Sequence, residues 1–102
     1  MLVRLPIPVR MSSVRAPLDQ ASFPEVLDAA KLGEEWAVEQ LFGELQPKLL
    51  RFFRSIEPGA ADDLAGEVWL AMSRGISGFN GDLASFRAWV FTIARRRAAD
   101  HR

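Results

Sequence analysis

From residue 22 onward, apolar positions recur at intervals of three and four, the spacing that gathers side chains on one face of an α-helix. Ser22-Phe23-Pro24-Glu25 predicts a helix start. The Ser22 hydroxyl can accept a first-turn amide, Pro24 lacks an N–H that the first turn would leave unsatisfied, and Glu25 completes a capping box. Val26, Leu27, Ala30 and Leu32 carry the apolar face as far as Gly33. A longer helix is expected from about Glu34, with Trp36, Ala37, Leu41, Leu45, Leu49, Phe52, Phe53 and Ile56 as its apolar positions. Pro47 falls inside that pattern and predicts a kink or a restart, because proline removes one intrahelical hydrogen bond and crowds the preceding turn. Pro58-Gly59 predicts a turn. Asp62 and Asp63 suit the positive end of a third helix, which runs to about Arg74. Residues 77–82, Ser-Gly-Phe-Asn-Gly-Asp, form a loop, after which Asp82 or Ser85 caps a last helix that continues to the end. The expected fold is all-α: a compact bundle of three to four helices over residues 22–102, preceded by a flexible N-terminal tail, residues 1–21, with three prolines and no helical period.

Two of these helices carry chemistry on the face opposite their apolar one. At 100° per residue, Leu64, Val68, Ala71 and Met72 fall on one side of the third helix and Asp63, Glu67, Leu70 and Arg74 on the other. An acidic stripe with a leucine inside it is either a solvated surface or a docking face for a basic helix of a partner. On the last helix, Phe86, Trp89, Val90, Ile93 and the stem of Arg97 share the expected core face. Arg87, Phe91 and Arg95 line the opposite face, with Arg96 at the border and Arg102 nearby. Guanidinium groups neutralise phosphates, and a ring among them can stack on an unpaired base. The plainer reading is a solvated arginine face with Phe91 covered by a neighbouring helix. In the loop, Phe79 and Asn80 stand between Gly78 and Gly81 and offer a ring and an amide where backbone can approach a base, or else Phe79 is simply tucked into the core.

Composition narrows the function classes. A chain of 102 residues, 49% apolar and 25% charged, suits one globular domain with a modest core, burying roughly 65% of its unfolded surface. With no cysteine and one histidine, His101, beside the C-terminus, a disulfide framework, a thiolate metal site and a histidine-based triad are all excluded or strongly disfavoured. No apolar run approaches the roughly 20 residues of a membrane span, and residues 2–9 are interrupted by Arg4, Pro6 and Pro8, so a soluble, cytoplasmic protein is expected. Thirteen acids balance thirteen bases, but unevenly along the chain. Residues 1–17 hold three arginines and no acid, residues 18–45 seven acids against Lys31, and residues 83–102 five arginines against Asp100. Separate acidic and basic surfaces follow.

The third helix (Ala61-Asp62-Asp63-Leu64-Ala65-Gly66-Glu67-Val68-Trp69-Leu70), the loop (Gly78-Phe79-Asn80-Gly81-Asp82) and the last helix (Phe86-Arg87-Ala88-Trp89-Val90-Phe91-Thr92-Ile93-Ala94-Arg95-Arg96-Arg97-Ala98-Ala99-Asp100) together resemble region 2 of bacterial sigma factors, most of all the extracytoplasmic-function (ECF) group. The likeness covers about residues 23–102. It implies a transcription initiation module that performs no bond chemistry and needs no cofactor. The implied partners are the core RNA polymerase, through the β′ clamp helices, and the non-template strand of the promoter −10 element. An anti-sigma factor commonly restrains this group. The clamp-binding surface maps onto Asp62, Asp63, Glu67 and Leu70. The DNA surface maps onto Phe79, Asn80, Phe86, Arg87, Trp89, Arg95 and Arg96. Such a protein opens a duplex by binding the unpaired strand better than the paired one. Each captured base contributes about 1–3 kcal/mol of stacking.

Three departures accompany the likeness. Gly66 stands where the family usually has glutamine, Arg96 where it often has asparagine, and the stretch from Phe79 to Trp89 is one residue longer than in many members. The region that reads the −35 element in this family is not in this sequence, which points to a fragment of a longer factor. Two other classes remain open on the residues alone. A helical interaction module without DNA function would use only the acidic face. A metal-dependent nuclease would have to use Asp62, Asp63 and Glu67, whose simpler role is that of acids near a helix N-terminus.

Overall fold

A computed structural model describes residues 18–101. Four α-helices follow in order: α1 (Phe23–Lys31), α2 (Glu35–Ile56), α3 (Ala61–Gly75) and α4 (Leu83–His101), with 3-10 turns at Pro58–Ala60 and Ile76–Gly78. The all-α expectation holds. The segment 1–17 and Arg102 lie outside the described residues.

Local chemistry explains where the helices begin and end, and in one place it corrects the expected cap. Ser22 precedes α1 but its side chain caps nothing there. The reciprocal box sits one turn earlier: the Ser22 N–H donates to Asp19 Oδ1 at 2.9 Å and the Asp19 N–H donates to Ser22 Oγ at 3.2 Å. Asp19 initiates the turn and Ser22 serves as its third residue. These contacts also pull the fold's edge back to residue 18, since Leu18 is buried and Gln20 Oε1 accepts the Leu83 N–H at 2.9 Å. At the far end of α1, Gly33 takes φ +80°, its N–H donates to the Ala30 carbonyl and the Glu34 N–H to the Ala29 carbonyl, a Schellman ending. Leu32, expected on the apolar face, is instead 78% exposed at this turn. Pro47 does not end α2, which runs unbroken for 22 residues. The carbonyl that loses its partner belongs to Gly43 on the exposed side, where water can serve it.

The core is a single seam. Ala37, Leu41, Leu45, Leu49 and Phe53, each four residues from the last, run down the inside of α2. They meet Val26 and Leu27 of α1, Leu64, Val68 and Met72 of α3, and Phe86 and Val90 of α4. Helix α2 packs against α1 and α3, and α3 packs against α4. Ala94 and Ala98 are buried where larger residues were expected to lie, so the inner face of α4 is centred on Leu83, Phe86, Val90, Ala94 and Ala98. That rotates the helix toward Arg87 and Phe91 relative to a face centred on Trp89 and Ile93, which are only half-buried. Among the described residues no helix is long and apolar enough to cross a membrane.

Candidate functional site

The acids of α3 stand on its outer face. Asp62, Asp63 and Glu67 are exposed, and Leu70 is 56% exposed in line with Asp63 and Glu67. The opposite face is buried through Leu64, Ala65, Val68 and Met72, which is why the acids point outward. Asp62 and Asp63 occupy the first turn, where no side chain caps the helix, so their charge meets the unsatisfied amides.

Beside this stripe lies an open apolar groove of about 710 Å³ between the first half of α2 and α3. Val38 and Phe42 form one wall, Trp69 and Leu70 the other, and the end of α1 closes it near Lys31. Phe42 and Trp69 meet with ring centroids 5.1 Å apart, and the Trp69 indole N–H donates to Gln46 Oε1 at 2.6 Å. Gly66 leaves the wall low, since nothing lies within 4 Å of where its Cβ would be. Val38 and Phe42 were not singled out from the sequence. The signal was present: they repeat at four, one residue after each of Ala37 and Leu41, and so form a second apolar stripe beside the core seam.

The expected DNA-facing set divides into three. Phe86 is fully buried, as its place on the core face of α4 predicts. It is the base on which Phe79 and Trp89 rest, at centroid distances of 5.3 and 5.7 Å. Phe79 stacks on Trp89 at 5.2 Å and both are half-buried, so the ring of the loop is partly engaged in the core but keeps an open edge. Asn80 beside it is exposed. The loop's shape depends on Gly81, at φ +155°, where an added Cβ would stand 3.0 Å from the Phe79 ring. Asp82 then caps α4, its Oδ1 accepting the Ser85 N–H at 2.8 Å. That bond, more than any other, holds the Asp82 carboxyl below its ordinary value, and the Gln20 side chain adds to it.

The arginine stripe is not a uniform face. Arg87 Nη2 donates to Glu44 Oε2 at 2.7 Å, and Lys48 lies 3.4 Å from the same oxygen. Arg87 is thus held by α2 and is withdrawn from the free cations of the stripe. Phe91 packs edge-on against Phe52 of α2 at 5.9 Å, the covered arrangement rather than the stacking one. Arg95 and Arg96 are exposed, with no acid in ion-pair distance among the described residues. Arg96 follows Trp89 by seven residues, two turns or about 10 Å along the axis, and so shares its flank of α4. The arrangement offers a flat aromatic edge, an amide and a cation on one side, and an acidic stripe with an apolar groove on α3. Such an arrangement offers two surfaces suited to binding.

Comparison with known proteins adds what geometry alone does not. The family model described as sigma-70 region 2 matches residues 41–102. The chain is 33% identical over 85 residues to the ECF RNA polymerase sigma factor BldN of Streptomyces coelicolor, an alignment covering 81% of this chain and 32% of that protein. This chain therefore spans about a third of the relative's length. No solved structure matches.

Proposed function

Because the chain belongs to the sigma-70 family through its region 2, and to the ECF group within it, we propose that it docks on the β′ clamp helices of RNA polymerase and helps open the promoter −10 element. The observation that carries this reading is the exposed stripe of Asp63, Glu67 and Leu70, flanked by Asp62 and bordered by an apolar groove. A basic helix of the polymerase meets carboxylates on its charged side and Leu70 on its apolar side. On the other surface, an unpaired base leaves the duplex to lie against the Phe79–Trp89 edge, with Asn80 for its polar rim and Arg95 and Arg96 for the flanking phosphates. Phe86 and Arg87 act indirectly, one by supporting the rings and the other by tying α4 to α2.

The test is a titration against a β′ clamp-helix fragment beside Asp63→Arg and Glu67→Arg. Wild-type binding, weakened about tenfold or more by each reversal, supports the docking face. Absence of binding at high micromolar concentration overturns it. The internal engagement of Arg87 and Phe91 favours a second reading, a helical interaction module without DNA function. Unchanged affinity for a −10 non-template oligonucleotide after Arg95→Ala and Arg96→Ala would select that reading.

A further inference from the structure

Asn80 and Gly81 lie between the 3-10 turn Ile76–Gly78 and the start of α4 at Leu83, outside any helix. Asn80 is exposed and is the only asparagine in the chain. Its side-chain amide has no hydrogen-bond partner among the described residues, and neither has the Gly81 N–H. The side-chain amides of Gln20 and Gln46 are engaged, one accepting the Leu83 N–H and the other the Trp69 indole N–H.

An asparagine carries an electrophile, its side-chain carbonyl carbon Cγ, that can close a five-membered ring with the backbone nitrogen of the next residue. Inside a helix that nitrogen's proton is held by a carbonyl and the backbone cannot turn to present it. Neither restraint acts on Gly81. Glycine also has no Cβ to obstruct the approach. The fold requires glycine here on other grounds: at φ +155°, a Cβ would stand 3.0 Å from the Phe79 ring and 3.1 Å from Ser85 Cβ. The residue that shapes the loop is therefore also the one that leaves Asn80 open to attack.

We propose that Asn80 is a site of spontaneous covalent modification, its side-chain amide being lost through a cyclic imide closed by the Gly81 nitrogen. Hydroxide takes the Gly81 N–H proton, the nitrogen bonds to Asn80 Cγ, and the Cγ–Nδ2 bond breaks. The departing nitrogen takes a proton from water and leaves as ammonia, which regenerates hydroxide. Water then opens the imide at either carbonyl, giving aspartate or its β-linked isomer. One water is consumed, one ammonia is released, and nothing is oxidised or reduced. Either product sets a carboxylate beside Phe79, and the β-linked one also lengthens the backbone by one carbon. A consequence rests on the DNA reading above: the new charge stands on the surface that meets the unpaired strand, so ageing of the loop weakens that contact.

The single asparagine makes the test direct in the full chain. The protein is aged at physiological temperature in mildly alkaline buffer, folded in one arm and unfolded in urea in the other, with circular dichroism to verify each state. Ion exchange counts the species with one added negative charge, and peptide mapping by mass spectrometry places the change. The acidic species is expected to form at residue 80, faster as hydroxide rises, and in the folded arm at a rate within about threefold of the unfolded one, since the fold holds neither reacting group. A folded rate lower than that overturns the proposal. So does an acidic species that forms equally fast in Asn80→Ser, which retains a polar loop residue but no side-chain amide. The aged species and Asn80→Asp are each expected to bind a −10 non-template oligonucleotide about threefold or more weakly than fresh protein, and an unchanged affinity overturns the consequence for DNA. If fresh protein does not bind the oligonucleotide at all, the DNA reading fails while the two ageing rates still decide whether Asn80 is a modification site.

Discussion

Gly81 shows how one residue shapes the candidate DNA surface. A Cβ at this position would sit 3.0 Å from Phe79 Cζ and 3.1 Å from Ser85 Cβ, at a φ that L-residues rarely adopt. Gly81→Ala is therefore expected to cost about 1–3 kcal/mol in urea unfolding and to weaken oligonucleotide binding by moving the ring. Trp89 depends on Gly75 in the same way, its Cζ2 lying 2.9 Å from where a Cβ would stand on α3. The Asp82 cap adds a pH dependence. Its carboxyl is held below the ordinary 3.8 by the Ser85 N–H, so the cap's contribution is complete above that value and is lost as pH falls through the lowered one. Asp19, lowered chiefly by the Ser22 amide, acts in the same direction. Thermal midpoints measured between about pH 5 and pH 2 should fall with acidification in the wild type. In Asp82→Asn, which keeps a capping oxygen but no titrating group, the fall should be shallower.

Helices are positioned by their contacts more than by their own preferences. The orientation of α4 is fixed on one flank by Arg87 on Glu44 and Phe91 on Phe52, and on the other by Trp89 over the end of α3. The Glu44 side chain is only 12% exposed, Arg87 42%. A double-mutant cycle with Glu44→Ala and Arg87→Ala should give a coupling of about 0.5–1 kcal/mol, small because water still reaches the arginine. Helix α3 presents the reverse case, a residue whose cost is purely local. Gly66 has open space around it, so Gly66→Ala should stabilise the fold by about 0.5–1 kcal/mol through helix propensity alone, read as a higher denaturation midpoint.

At the scale of the whole molecule, zero net charge conceals opposed surfaces, acidic on α3 and the start of α2 and basic on α4. Long-range attraction to nucleic acid is weak at zero net charge, and on the function proposed above the phosphate contacts fall to Arg95 and Arg96, which are not engaged internally among the described residues. With Arg95 and Arg96 on phosphates, log K for a single-stranded oligonucleotide should fall with log salt at a slope of about −1.4, and Arg96→Ala should bring it to about −0.7. A slope unchanged by that substitution would place the phosphate contacts elsewhere.

What the sequence determined by itself is the set of helices, their approximate ends and the identity of most core residues, because periodicity and turn chemistry act over three or four neighbours. Residues 41, 45, 49 and 53 announce their seam by spacing alone, and Asp63, Glu67 and Leu70 their shared face. Only the tertiary structure decided the rest. It gave Arg87 to a carboxylate 43 residues away, covered Phe91 with Phe52, moved the cap from Ser22 to Asp19 and opened a groove between Phe42 and Trp69. The physical reason is common to most of these. A helical wheel states which residues lie together, but how far a helix is rotated against its neighbours depends on the sizes of side chains on other helices. The alanines at 94 and 98 let α4 settle closer on one side than any count along its own sequence could foretell.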